Sequence, residues 1–386
     1  MEIKNNKLMN VTNEDIINGT FEIPNNIEII EHYCFDGCTN LQSINLPSSI
    51  TEIRDKAFKN CTNLQSIIIP DNVTKIGDDA FKECESLKTI NLSNNITCIE
   101  SGAFSNCKKL QSIIIPNNVT KIKNYAFAGC SSLKTINLSD SITKIGYWAF
   151  YNCTNLKSII ISNNIIKIKD YAFAGCNSLE TINLPNSVTE IGAGAFEACT
   201  NLQSINIPNN ITKIEKYMFE HCENIKNIKL QRNITEIKEH AFDYCLNLQS
   251  LIVECDIQKI ENGAFRMCPN LDTIIVSEDT IYTDLNKICE QIQNDNGAKY
   301  FNINMNSSLF NIINSISHSY LSIDSRCNYI MEDVIIYNKQ INFTKLKNSY
   351  KQDIEYTDTT IKQIISNTYI DKIRKKELLD KIKAKL

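Results

Sequence analysis

The chain has 386 residues, of which 42% are hydrophobic and 22% charged, and it carries a formal net charge of −4. The apolar share is too high for a wholly disordered chain, and the mildly acidic balance argues against a general nucleic-acid binder, which would show a basic footprint. No apolar run reaches the roughly 18–20 residues that cross a bilayer as a helix.

The first residues, Met1-Glu2-Ile3-Lys4-Asn5-Asn6-Lys7, lead into Asn, Thr, Glu and Asp rather than into an apolar run. No secretory signal is legible there, so an intracellular protein is expected, with the cell surface as the alternative. Residues 1–17 are short and polar and are assigned as an N-terminal cap.

From Asn18 onward the sequence repeats itself. Leu64-Gln65-Ser66-Ile67-Ile68-Ile69-Pro70 returns as Leu110-Gln111-Ser112-Ile113-Ile114-Ile115-Pro116, with a variant at Leu87-Lys88-Thr89-Ile90-Asn91-Leu92-Ser93 midway, a period of 23 residues. Eleven units fill residues 18–270. Unit positions 4 and 6 hold Ile or Leu and share one face by period-two alternation, which predicts a short strand. Pro at position 7 ends it in several units, because it has no N–H for a ladder. Position 10 is Ile or Val and position 13 is Ile, as in Val73/Ile76 and Val119/Ile122, which predicts a second brief strand. Ala-Phe-x-x-Cys follows. Phe holds position 18 in all eleven units, from Phe35 to Phe265, and Cys holds position 21, from Cys38 to Cys268.

One such unit has too few apolar positions to close a core. Stacked on its copies, it buries each Leu, Ile, Phe and Cys against the same residue type above and below, so the expected object is a solenoid. Eleven coils at the interstrand spacing of roughly 4.8 Å give a stack on the order of 50 Å long.

The pattern Leu-x-x-Ile-x-Leu-Pro-x-x-Ile-Thr-x-Ile-x-x-x-Ala-Phe-x-x-Cys resembles the BspA-like, treponemal-type class of leucine-rich repeats, over residues 18–270. The resemblance implies a right-handed leucine-rich-repeat coil with a parallel sheet on its concave side and short second strands and turns on the other. Members of that family are commonly surface or secreted adhesion-type proteins, so the resemblance also implies a surface adhesin as the alternative function.

Little here reads as chemistry. Eleven of the sixteen cysteines are the last core column. Parallel Cβ vectors keep neighbours in such a ladder near 4.8 Å apart, beyond the ~3.8 Å of a disulfide, so small buried apolar groups with inert thiols are expected. The remaining five, Cys34, Cys98, Cys255, Cys289 and Cys327, form no CxxC pair, so no metal is expected. Thiols left unpaired in this number favour a reducing compartment. The four histidines (His32, His221, His240 and His318) lie in no HExxH spacing, and no GxSxG elbow, phosphate loop or GxGxxG motif is present, so neither catalysis nor a cofactor is expected. Asn-x-Ser/Thr sequons abound in this Asn-rich chain, and without a signal peptide they are not evidence of glycosylation.

Partner-binding candidates lie on two faces. Outward position 5 alternates Asn45, Ile68, Asn91, Ile114, Asn137, Ile160, Asn183, beside a hydroxyl column at position 3. Ile68, Ile114 and Ile160 are candidate apolar anchors for an extended ligand; plain β-propensity on a flat sheet is the alternative. Tyr125, Trp148 and Tyr171 share position 16 on three consecutive coils, flanked by Tyr147 and Tyr151. These five could form one exposed aromatic patch, or they stack on one another and shield the coil edges. Lys75, Lys121, Lys144 and Lys167 make a basic rib at position 12 that reads as a solvated, edge-protecting face.

Residues 271–300 keep Ile274 and Val276 and then lose the pattern; Ile281, Leu285, Ile288 and Ile292 suggest an amphipathic helix closing the last coil. Residues 301–386 are assigned as a mixed and helical C-terminal region, helical over 359–386 and basic over 372–386. The expected function is a non-enzymatic, monomeric protein-interaction scaffold without nucleic acid, membrane span or cofactor. An enzyme in the C-terminal region has no motif in its favour.

Overall fold

The computed structural model describes residues 1–255, 257–276 and 285–297, together with the strands Asn302–Met305, Asn328–Met331 and Val334–Tyr337. The repeats stack as a parallel β-solenoid in which each coil has three sides. The first side is a strand over unit positions 3–5, such as Ser66–Ile68, paired in parallel with Thr89–Asn91 one coil later. The second is a two-residue strand at positions 12–13, such as Lys121–Ile122 against Lys144–Ile145. The register is one repeat throughout, so like residues lie over like. The first ladder is interrupted at the coil of Ile114, which is joined only by an isolated bridge to Asn137, and again after Ser158–Ile160 and after Ser204–Asn206.

The third side is built of turns, and its hydrogen bonding is regular. Positions 16 and 20 have positive φ in all eleven coils, for example Tyr125 (56°), Trp148 (52°) and Tyr171 (56°) at position 16 and Asn152 (54°) at position 20. N–H groups at positions 16, 18 and 20 point to the next coil: Trp148 donates to Asp170 O (3.1 Å), Phe150 to Ala172 O (2.8 Å) and Asn152 to Ala174 O (2.8 Å). N–H groups at the odd positions turn inward, as Tyr151 does to Trp148 O and Cys153 to Phe150 O, both at 3.2 Å. The buried backbone is thereby satisfied without a strand.

Positions 1, 4, 6, 10, 13, 17, 18 and 21 supply the core. The eleven phenylalanines form one continuous stack from Phe35 to Phe265, with ring centroids 4.8–5.8 Å apart and planes within 13° of parallel. Phe21 closes its N-terminal end edge-on at 5.4 Å. Each ring thus gains stacking beyond its burial.

The cysteine column differs in one respect from the inert thiols expected. From Cys61 to Cys268, each Sγ donates to the carbonyl of the phenylalanine one coil before; Cys153 Sγ to Phe127 O is 3.2 Å. The thiol therefore ties coil to coil, as an aliphatic side chain of its size would not. Cys34, Cys98 and the column from Cys38 to Cys245 are free. Burial pushes the thiol pKa up along the column from Cys84 to Cys245, to about 12 at Cys130 and Cys199.

Asparagines at position 9 form a further ladder. Asn72, Asn118 and Asn210 Nδ2 donate to the carbonyls of Ser48, Asn94 and Asn186 on the preceding coil at 2.6–2.8 Å. Sequon asparagines at this position are structural donors.

Both ends are covered. Glu2–Lys4 and Lys7–Asn10 form an antiparallel hairpin, and the second strand pairs in parallel with Ile29–Ile30, adding a rung ahead of the first coil. Val11 N–H meets Cys34 O at 2.8 Å. At the other end the helix Leu285–Asn296 buries Ile288 and Ile292 against the last coil. Asp295 accepts from Gly263 N–H (3.0 Å) and Phe265 N–H (2.9 Å), and Asn296 Oδ1 accepts from Cys268 N–H (2.8 Å). Those side chains replace the carbonyls that a further coil would supply. Asn302–Met305 then pairs with Thr273–Val276, extending the first ladder by one strand. Ile281, the helix expected over 359–386 and its basic end lie outside the described residues.

Candidate protein-binding faces

The first ladder carries the isoleucine column. Because strand side chains alternate, position 4 faces the core and positions 3 and 5 face out, and each three-residue strand is exposed, buried, exposed in turn. Ile68, Ile114 and Ile160 are 64%, 84% and 61% exposed. Asn91 pairs with Ile68, and Asn137 with both Ile114 and Ile160. The result is a column of three water-facing isoleucines with an asparagine rung between each pair.

The position-16 aromatics lie on the third side. Tyr125, Trp148 and Tyr171 stack face to face, with centroids 5.1 and 5.4 Å apart and planes within 5°. Tyr147 leans on Trp148 at 6.1 Å and 38°. Their ring faces are spent on one another, and Tyr147, Trp148 and Tyr171 are half-buried, while Tyr125 and Tyr151 are exposed. A left-handed backbone costs a residue with a Cβ roughly 1–2 kcal/mol, which ring stacking of about 0.5–1.5 kcal/mol per pair largely offsets. Gly194 follows Tyr171 in the column, and a Cβ there would run into the Tyr171 ring. The positive φ of this column escaped the sequence reading, although its glycines at 102, 194 and 263 are the usual mark of that conformation.

Half of the basic rib is ion-paired. Positions 12 and 14 pair across coils and within them: Lys75 reaches Glu52 at 3.4 Å one coil away, Lys167 and Lys169 both meet Glu190 on the next coil, and Glu236 meets Lys213 of the preceding coil and Lys238 of its own. Arg54 holds Glu31 through two hydrogen bonds of 2.8 and 2.9 Å. The Lys259 ammonium holds the Glu261 carboxyl down at about 2. Lys121 and Lys144 have no acidic partner among the described residues. Nor, among the described residues, is any group of three or more His, Cys, Asp or Glu placed to hold a metal ion.

Comparison with known proteins agrees with this geometry. The family model of the BspA-type leucine-rich-repeat region matches in six copies, spanning residues 13–122, 99–210 and 189–316. The chain is similar to a leucine-rich repeat protein of Bacteroides ovatus, with 27% identity, 74% of this chain and 77% of that one covered, and a TM-score of 0.60. It is also similar to a leucine-rich cell surface protein of Faecalibacterium prausnitzii, with 28% identity, 72% and 82% covered, and a TM-score of 0.48. A comparison with curated proteins finds no match. Among the described residues no helix is long and apolar enough to cross a membrane.

Proposed function

Since the chain belongs to the family of BspA-type leucine-rich-repeat proteins, we propose that it is a non-enzymatic scaffold that binds a partner protein across its first ladder. The observation that carries this reading is the isoleucine column. Three large aliphatic side chains at 61–84% exposure recur on every second coil, each paired in parallel with an asparagine of a neighbouring coil. Isolated exposed apolar residues are ordinary, but a periodic row on a rigid sheet offers regularly spaced anchors.

The test exploits the column itself. Asn already occupies position 5 on the intervening coils, so a variant carrying Ile68→Asn, Ile114→Asn and Ile160→Asn keeps the ladder. Affinity capture with the full chain is expected to lose its partners in this variant while the melting curve stays in place. An unchanged set of captured proteins would sink the reading.

Free thiols buried along the column from Cys38 to Cys245 favour a reducing compartment, and we place the protein inside the cell on that ground. Titration of the unfolded, unreduced chain is expected to find all sixteen cysteines reactive. A surface adhesin, as the family resemblance implies, would instead be cut by protease added to intact cells.

A further inference from the structure

The face that carries the isoleucines also carries a row of lysines. On the coils from Leu64 to Ile161, unit positions 1–6 hold Lys88, Lys134 and Lys157 at position 2 and no Asp or Glu, in a chain of net charge −4. Position 2 stays hydrogen-bonded from coil to coil even where the first ladder is interrupted: Gln111 N–H donates to Lys88 O (3.3 Å), Lys134 N–H to Gln111 O (3.2 Å) and Lys157 N–H to Lys134 O (2.9 Å). All three lysines are exposed and have no ion pair among the described residues, whereas Lys167 and Lys213 on the second ladder each hold a glutamate. An exposed hydroxyl column at position 3, from Ser66 to Ser158, lies between the lysine row and the isoleucines.

The spacing of these rows selects what can lie along them. Strands stack at about 4.8 Å, so Ile68, Ile114 and Ile160, on alternate coils, stand about 9.6 Å apart, as do Lys88 and Lys134. A polyproline-II segment rises about 3.1 Å per residue and returns to one face every third residue, a repeat of about 9.3 Å. An α-helix returns after two turns at about 10.8 Å and falls out of step by more than about 1 Å at each isoleucine. A strand returns every ~6.6 Å and misses Ile114. The polyproline-II backbone also leaves its own N–H and C=O groups unpaired, within reach of the hydroxyls and of Asn91 and Asn137.

We propose that this face binds an extended, acidic segment of a partner protein in polyproline-II conformation. Every third residue of it is apolar and lies on Ile68, Ile114 and Ile160, while carboxylates beside these meet Lys88, Lys134 and Lys157. This names a partner for the isoleucine face and rests on its being the binding surface. Cations without counter-ions ask for an anionic partner, and the isoleucines ask for aliphatic side chains, which a nucleic acid lacks.

Capped, fluorescein-labelled peptides titrated with the full chain and followed by anisotropy supply the test. Repeated Leu-Pro-Glu triplets are expected to bind saturably. Lys88→Gln/Lys134→Gln/Lys157→Gln keeps the column, since Gln65 and Gln111 already occupy it, and is expected to weaken binding about tenfold and to flatten its salt dependence. Lys121→Gln/Lys144→Gln, on the second ladder, is expected to leave binding as it is. Repeated Leu-Pro-Lys, and the Leu-Pro-Glu composition shuffled out of its three-residue period, are expected to bind less well. Absence of saturable binding, equal binding of either control peptide, or an equal loss in Lys121→Gln/Lys144→Gln overturns the proposal. Equal binding of a single-stranded oligonucleotide does so in favour of a nucleic acid. If the peptide fails while partner capture is still lost in the isoleucine variant, the scaffold reading stands and only the partner's chemistry falls. Peptide binding that survives the isoleucine variant unchanged sinks the face itself.

Discussion

Cys153→Ser against Cys153→Ala is the sharpest test of what the cysteine column does. Cys153 Sγ donates to Phe127 O at 3.2 Å, and that carbonyl also accepts Cys130 N–H at 3.1 Å. Removing the thiol therefore leaves the carbonyl one partner. Alanine loses a weak hydrogen bond, about 0.5 kcal/mol, and the burial of one sulfur, about 1 kcal/mol with the small void left behind. Serine loses similar burial but keeps a donor facing the same acceptor. If the thiol is a donor, the two variants cost about the same, 1–2 kcal/mol each. If the column is merely apolar, serine buries a hydroxyl without a partner and costs a further ~1–3 kcal/mol. Trp148, the only tryptophan, lies on the same coil, so its fluorescence in a urea titration reports the coil in question rather than an average over a stack that need not unfold as one unit. A serine variant clearly less stable than the alanine variant would refute the donor role.

Asp295→Ala should open the C-terminal end. Its carboxylate accepts from Gly263 and Phe265 N–H, so amide exchange at those two residues is expected to speed up by about tenfold or more, from roughly 1.5–3 kcal/mol per bond to a charged acceptor, while Phe150 N–H exchanges as before. Equal rates at Gly263 would show that the helix does not cap the stack. Glu220→Gln should stabilise the fold at neutral pH. The folded-state carboxyl is raised by burial and by Asp243, so the native state holds its proton where the unfolded chain has lost it, and stability falls as pH rises through that window. Thermal melting should show the gain at pH 7 and its disappearance below the ordinary carboxylate range; a constant gain at all pH values would contradict the cause given.

The solenoid was legible in the sequence because its signals are columnar. A residue that recurs every 23 positions must meet its own copies, and Phe35 to Phe265 do so ring on ring. Outward Ile68, Ile114 and Ile160 followed from the alternation of a strand. The third side was not legible in the same way. Tyr125, Trp148 and Tyr171 give no hint of a left-handed backbone, because aromatic residues rarely adopt one, and only the stacking that stabilises them in place explains their presence. The ion pairs were hidden for a related reason: Lys167 and Lys169 read as cations on their own coil, and their partner Glu190 is one repeat away. The lysine row of the first ladder needed the same step, from reading along a unit to reading down a position.

The turn side has a direction. Its N–H groups at positions 16, 18 and 20 point to the following coil and its carbonyls to the preceding one, whereas N–H and C=O in the two parallel ladders alternate along each strand. Peptide dipoles therefore add down one edge of the molecule and nearly cancel along the other two. The positive pole falls at the C-terminal end, the reverse of an α-helix, and it is there that the Asp295 carboxylate sits. The opposite pole, at His32, Cys34 and Asp36, presents carbonyl oxygens, which only a donor such as Val11 N–H can meet. The turn edge is thereby closed at both poles, by an anion at one and by an N–H donor at the other.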